Sequence, residues 1–367
     1  MSKKFRVAII GTGMIGSTAH APAWAALPDD VELVATADIR PERAKNVAAG
    51  FGIPAHYGDW QKMLDEVKPD IVSVCTPNCY HKAPTIAALK AGAHVCCEKP
   101  IAPGYADAKE MFDVAESVGR ELFITQTSRF TSLADAAKKY VEEGMLGDIY
   151  YAETGMLRRR GIPKWGVFHI KEHNAGGPVY DLGVHDLDLF MWVMGDPTPV
   201  AVSGQTVLKF GNKDEQLATS LFDSGAYAGL LYTPDPYDYR QFDVEDFASG
   251  YIRFANGAVL VLRTSWAANI QQAAGSSFML GTKGGLNFKP SLTYVANQVG
   301  YMVETSPNLP GDRDVGFAGH FRHHAHVIRV LRGEEEKIVK RHQVLNVIKT
   351  LDALYASSES GKEVRLD

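Results

Sequence analysis

The stretch Phe5-Arg-Val-Ala-Ile-Ile-Gly11-Thr-Gly13-Met14-Ile15-Gly16 constrains this chain more than any other. Its apolar, β-branched run from Val7 to Ile10 reads as a buried strand that breaks directly into glycines. Gly11 permits a tight turn, Gly13 lets the backbone approach a pyrophosphate, and Gly16 allows a helix to pack closely on the strand. A helix opening at Met14 and Ile15 then aims its first N–H groups and positive dipole end at the phosphates. A second strand, Val31 to Ala37, ends at Asp38, about 20 residues past Gly16, where a carboxylate accepts from an adenosine ribose diol. These features predict a dinucleotide site. Asp38 would repel a 2′-phosphate, so NAD is expected over NADP, with Arg40 and Arg43 close enough to soften the preference.

The first third keeps alternating strand and helix. Helical stretches run from Pro41 to Phe51, from an Asp59 cap through Val67, from Tyr80 to Ala91 and from Tyr105 to Val118. Strands are expected at Asp70–Cys75, His94–Cys97 and Glu121–Thr125, which makes a doubly wound parallel sheet. Ligands in such sheets bind at the strands' carboxyl ends, where Gly11, Asp38, Thr76 and Lys99 fall. Past Thr125 the rhythm changes to longer strands without intervening helices, including a hairpin with the turn Asn256-Gly257. The expected organisation is therefore a Rossmann domain over 1–125 and an α+β domain over 126–367, with an open-faced, mostly antiparallel sheet. A helix over Val179–Met194 and two closing helices, His320–Arg332 and His342–Ser358, are also expected, and the last could pack back on the first domain.

A chain of 367 residues with 46% hydrophobic and 22% charged content has ample material for two such cores. Its net charge of -5 offers no basic footprint for nucleic acid. No signal peptide or long apolar run is apparent, so a cytoplasmic location without membrane attachment is expected. Cys75, Cys79, Cys96 and Cys97 lack metal-type pairing and read as small buried residues of a reducing compartment.

Three groups of residues point to chemistry. Glu98-Lys99-Pro100 places a lysine at a strand end, where an ammonium beside a nicotinamide cation would be suited to proton transfer, though a surface pair with Glu98 is the plainer alternative. In Gly176-Gly177-Pro178-Val-Tyr-Asp181-Leu-Gly183-Val-His185, an adaptable glycine loop leads into a helix. Asp181 and His185 would share a face there, the carboxylate fixing the imidazole's tautomer and raising its basicity. The third group is diffuse: Thr76, Pro77, Asn78 and His81 after one strand, Gln126 and Arg129 after another, then Trp165, His169 and Asn174. Asn78 and His81 would reach the nicotinamide ribose, and Trp165 offers a flat surface to a sugar or nicotinamide ring. His320, His323, His324 and His326 carry no accompanying ligand pattern, and no metal is expected from them.

Gly11-x-Gly13-x-x-Gly16, Glu98-Lys99-Pro100 and Gly176-Gly177-x-x-x-Asp181-x-Gly183-x-His185, taken in order, resemble the Gfo/Idh/MocA (glucose-fructose oxidoreductase/inositol dehydrogenase/rhizopine catabolism) family. The resemblance extends to the closing Ser357-x-x-x-Gly361-Lys362-x-Val364, and departs from the family where Pro178 replaces a third glycine. It implies an NAD(P)-dependent dehydrogenase acting on CH–OH groups of sugars, glycosides or cyclitols, assembled as a homo-oligomer through the open sheet face. Lys99, Asp181 and His185 take the catalytic positions, and either Lys99 or His185 could be the base. Cofactor contacts fall on Gly11, Gly13, Met14, Ile15, Gly16, Asp38, Thr76, Pro77, Asn78, His81, Glu98, Lys99 and Gln126. Substrate contacts fall on Lys99, Arg129, Trp165, His169, Asn174, Asp181 and His185. Arg158-Arg-Arg-Gly-Ile-Pro-Lys-Trp165-Gly resembles relatives that oxidise carbon 3 of a glucoside, which is the expected reaction. The alternatives are an inositol 2-dehydrogenase, a redox-neutral glycosidase or isomerase using bound NAD, and a non-catalytic sugar sensor.

Overall fold

The apolar run that opens the chain forms β1 (Phe5–Ile10), and Val7 to Ile10 are buried on both faces of a parallel sheet. Around it stand β2 (Val31–Ala37), β3 (Ala55–Tyr57), β4 (Ile71–Val74), β5 (His94–Cys97) and β6 (Leu122–Ile124), in the order β3-β2-β1-β4-β5-β6. Between these strands run α1 (Ala21–Ala25), α2 (Pro41–Phe51), α3 (Trp60–Val67), α4 (Lys82–Lys90) and α5 (Tyr105–Ser117). The structure, a computed structural model, describes residues 3–213, 230–234, 236–271, 276–311 and 317–366. Strand order reverses at β1, and the pairings Ile10↔Ala37, Ile10↔Val74 and Val74↔Cys97 bring the carboxyl ends of β2, β1, β4 and β5 to one edge. That switch point is where such sheets hold ligands.

The second sheet has nine strands: β7 (Ile149–Leu157), β8 (Pro199–Val207), β9 (Phe247–Phe254), β10 (Val259–Ser265), β11 (Phe278–Gly281), β12 (Gly284–Asn287), β13 (Thr293–Gln298), β14 (Tyr301–Thr305) and β15 (Val364–Arg365). Their order is β14-β13-β12-β11-β7-β10-β9-β8-β15, and only the β7–β10 pair is parallel. Helices α6 (Ser132–Glu142), α7 (Lys171–Asn174), α8 (Val184–Val193), α9 (Ala318–Leu331) and α10 (Arg341–Ser360) complete the chain. Leu260 and Leu262 of β10 face a core with Val184, Leu187 and Phe190 of α8 and Leu351 and Leu354 of α10. Helix α10 also lends Val344, Leu345 and Ile348 to one face of the first sheet, while Val327 and Ile328 of α9 cover the other. The two closing helices thus grip the first sheet from both sides. None of the described helices is long and apolar enough to cross a membrane.

Candidate active site

A cavity of about 840 Å³ opens where the carboxyl ends of β1, β2, β4 and β5 face the glycine loop before α8. Gly11, with φ +89°, turns the chain so tightly that a Cβ would meet the Cys75 carbonyl. Gly16 packs on the Gly11 carbonyl, behind the cavity wall. Nothing lies within 4 Å of a Cβ at Gly13, which borders open space with Met14 and Ile15. Asp38 is oriented by its own loop: Oδ2 accepts from the Thr12 backbone N–H (2.8 Å) and hydroxyl, and Oδ1 from the Arg40 N–H. A bare glycine turn at one end and a fixed carboxylate beside it fit a dinucleotide with a free ribose diol.

Lys99, Asp181, His185 and Trp165 line the same cavity. The Lys99–Pro100 peptide is cis. Lys99 does not pair with Glu98 through its side chain; its Nζ donates to the Asp181 carbonyl (2.9 Å) and lies 3.5 Å from the Asp181 carboxylate. The expected Asp181–His185 partnership is not formed. Residues Val179–Gly183 wind as a π-type turn before α8 begins at Val184, so the register expected of a continuous helix is broken between the two side chains. Asp181 Oδ2 instead accepts from the Trp266 indole N–H at 2.9 Å. Burial opposes its charge, yet Lys99, Arg158 and that indole hold its carboxyl below the ordinary range. His185 Nδ1 has no hydrogen-bond partner among the described residues. Its basicity is lowered rather than raised: burial, and then the Lys99 charge, push the imidazole down to about 3.

The glycine loop is clamped, not adaptable. A Cβ on Gly177 would lie 2.0 Å from the Glu245 carbonyl, while the Glu245 carboxylate accepts from the Val179 N–H (3.1 Å) and the Tyr355 hydroxyl (2.9 Å). Thr76, Pro77, Asn78, His81, Glu98 and Asn174 all border the cavity. His81 serves there as a brace, its two ring nitrogens facing the Pro100 and Thr76 carbonyls at 2.8 Å each. Asn78 donates to the Asn174 carbonyl, tying the two sides of the cavity together.

Besides Gly16, three expected contacts lie off the cavity. Arg129 is buried in a bidentate pair with Asp188 and also donates to Gln343, so its guanidinium is engaged in holding α8 and α10. Gln126 and His169 are buried behind the wall, His169 against the rings of Tyr237 and Phe242. Among residues the motifs did not single out for the site, Trp266, Glu245, His20 and His320 now matter. Trp266 and Glu245 act through contacts more than 60 positions apart in the chain, and no local spacing signals such a contact. Cys75, Cys96 and Cys97 are buried and Cys79 is half-buried, all as free thiols.

Residues 5–126 match the oxidoreductase family's NAD-binding Rossmann fold, and residues 138–366 match its C-terminal α/β domain. The chain is 36% identical to a D-glucoside 3-dehydrogenase of Escherichia coli K12, over 100% of this chain and 98% of that protein. It is 30% identical to a levoglucosan dehydrogenase of Pseudarthrobacter phenanthrenivorans over 70% of this chain and 66% of the other. Among solved structures, an aldose-aldose oxidoreductase of Caulobacter crescentus superposes with a TM-score of 0.77 at 25% identity, covering 99% of this chain and 100% of that one. A levoglucosan dehydrogenase complexed with NADH and levoglucosan gives 0.80 at 23% identity, covering 99% of each, and so shares the fold. Glycine turn, cavity-wall lysine and clamped Asp-His segment belong to one architecture, and the chain is a member of the Gfo/Idh/MocA family of NAD-binding oxidoreductases acting on sugar CH–OH groups.

Proposed function

We propose that this enzyme oxidises carbon 3 of a neutral glucoside or closely related pyranose, with NAD as hydride acceptor. The observation that carries this reading is the placement of the Arg158–Phe168 segment. Arg158, Trp165, Gly166, Val167 and Phe168 line the same cavity as Lys99 and His185. A flat indole beside proton-transfer groups suits the apolar face of a pyranose. The full-length similarity to a D-glucoside 3-dehydrogenase supports the same assignment.

NAD, when bound, supplies the two-electron acceptor for the carbinol hydride. Gly11, Gly13, Met14 and Ile15 would hold its pyrophosphate, and Asp38 its adenosine ribose. Lys99 donates to the reacting hydroxyl and stabilises the oxygen as negative charge builds on it. Asp181, pinned by Trp266, keeps the Lys99 ammonium directed into the cavity. His185, kept neutral by burial, is the acceptor of the hydroxyl proton. Incubation with NAD⁺ and a panel of glucosides, free sugars and inositols tests the reading. The expected result is NADH accumulation with a 3-keto glycoside identified by NMR. Oxidation confined to inositols or to an anomeric carbon overturns it, and so does turnover of glycosides with no free NADH.

A further inference from the structure

A segment of the second domain crosses to the cofactor end of the cavity. Residues 230–234 belong to the connection between β8 and β9, yet they lie along α2 of the first domain. Asn46 Nδ2 donates to the Leu231 carbonyl at 3.1 Å. The Leu231 side chain packs on bare backbone at Gly50, where a Cβ would lie 3.2 Å from its Cδ1. The Arg43 guanidinium sits over the Tyr232 ring, 4.1 Å from its centroid. Arg43, Asn46 and Gly50 are spaced i, i+3 and i+7, so the segment follows one stripe of α2.

These contacts put Tyr232 beside the carboxylate that suits the adenosine ribose. Arg43 lies in the first turn of α2, and its backbone N–H donates to the Arg40 carbonyl (2.9 Å). The Arg40 N–H in turn donates to Asp38 Oδ1. Asp38, Ile39, Arg40, Arg43 and Tyr232 all border the cavity, and Ile39 adds an aliphatic side chain that is 86% exposed. A flat purine is held best where aliphatic and aromatic surfaces meet a fixed polar anchor. Further along, the same connection is fastened to its own domain. The Tyr237 ring rests on His169, with centroids 4.7 Å apart, and the Asp243 carboxylate accepts from the Lys171 N–H at 2.6 Å. The connection is thus anchored on both domains.

We propose that Tyr232 is a cofactor-binding residue supplied by the second domain, its ring covering the adenine of the dinucleotide whose ribose is held by Asp38. The anchorage of Leu231 on Asn46 and Gly50 keeps that ring in place. No local motif marks the residue, because it lies far along the chain from the glycine turn and Asp38, which define the rest of the cofactor site. Its effect falls mainly on release. Departure of the cofactor has to break the stacking, whereas the first encounter does not, so contacts of this kind act chiefly on the dissociation rate. A stacked base is held strongly enough that loss of the aromatic ring speeds release about tenfold.

NADH release, timed by stopped-flow fluorescence after a chase with excess NAD⁺, tests the proposal. Tyr232→Ala should release NADH about tenfold faster than the unmodified enzyme, with entry changed far less, and Tyr232→Phe should keep the slow release. Asn46→Ala should speed release in the same direction, because it removes the donor that holds Leu231. Competition against NADH then locates the effect. ADP-ribose should lose affinity in Tyr232→Ala, whereas reduced nicotinamide mononucleotide, which has no adenosine, should compete equally well with both proteins. Unchanged NADH release in Tyr232→Ala overturns the proposal. So does an equal loss of affinity for nicotinamide mononucleotide, which would make the residue a general prop of the fold. An effect that vanishes once Arg43 is replaced by alanine also overturns it, since the ring would then only seat that guanidinium. No sugar is present at any stage, so these outcomes are independent of the carbon-3 assignment.

Discussion

At the scale of single residues, Lys99 and His185 stand out by their place in the site. Lys99 pairs within the candidate site, with Asp181, and both Lys99 and His185 border the cavity. Lys99→Ala or His185→Ala should lower kcat by roughly 10²-fold or more, since positioned proton transfer contributes on that order. NADH binding, followed by fluorescence, should survive both substitutions, and near-normal turnover in either would remove that residue from the mechanism. Trp266 offers a finer test. Its indole is the donor to Asp181 Oδ2, and hydrogen bonds to charged groups contribute roughly 1.5–3 kcal/mol. Trp266→Phe removes a donor that stabilises the carboxylate, so Asp181 becomes easier to protonate. The acidic limb of the kcat profile should therefore move to higher pH, whereas a purely structural indole would leave its position unchanged. At the cofactor end, Asp38 is locked by Thr12 and Arg40 backbone groups, which fixes a carboxylate where a 2′-phosphate would have to sit. Competing kcat/KM measurements should favour NAD, and Asp38→Ser should erode that preference because Arg40 and Arg43 remain beside the cavity.

At the scale of elements, the strands with strong local signatures were readable and the irregular turns were not. Val31–Ala37, His94–Cys97 and Pro41–Phe51 stand where their apolar runs and proline place them, because their neighbours reinforce local preference. The π-type turn at Val179–Gly183 carries no such mark, since an i,i+4 spacing reads the same whether the helix is regular or bulged. That is why many of the residues lining the cavity were legible but the partner of Asp181 was not. Likewise, short strands such as β3, β11 and β14 owe their existence to pairing across the sheet rather than to their own composition. Helix α9 shows a further consequence of burial. Its His323 titrates near 6.5 when unfolded but only at about 3 in the fold, burial being the main cause and the charges of His320 and His20 adding to it. Between those values the unfolded chain binds more protons, so stability is complete above pH 6.5 and declines as the pH falls toward 3. His324 and His20 are lowered as well and act in the same direction. The melting temperature should consequently drop on acidification from pH 7.5 to 5, and His323→Phe should make that drop shallower. An unchanged slope would mean the imidazole is solvated.

At the scale of the whole molecule, the described helices cover one face of the nine-stranded sheet, and alternation along the strands determines what the other face presents. Leu260 and Leu262 point into the helical core, leaving Val259 and Val261 on the opposite side. Register then sets Val261 between Tyr251 and Glu153, and Val259 beside Tyr151, which itself pairs with Leu280. Tyr151 also leans on Phe278 across the strands. The result is a contiguous apolar surface of valines, tyrosines, a leucine and a phenylalanine crossing β9, β10, β7 and β11, interrupted by the Glu153–Arg263 pair. Contiguous patches of this kind on a sheet face favour association, and identical copies associate most readily through a shared two-fold face. The enzyme is therefore expected to be a homo-oligomer that buries this face, with light scattering after gel filtration giving a mass at least twice 40.1 kDa. Val261→Glu with Leu280→Glu should shift that mass toward the monomer, because each places a carboxylate in the apolar row. Trp266 and Asp181 lie on the helical side, so NADH binding by the dissociated variant should persist. A monomeric mass for the unmodified enzyme at micromolar concentration would show instead that the open face is tolerated by a solitary chain.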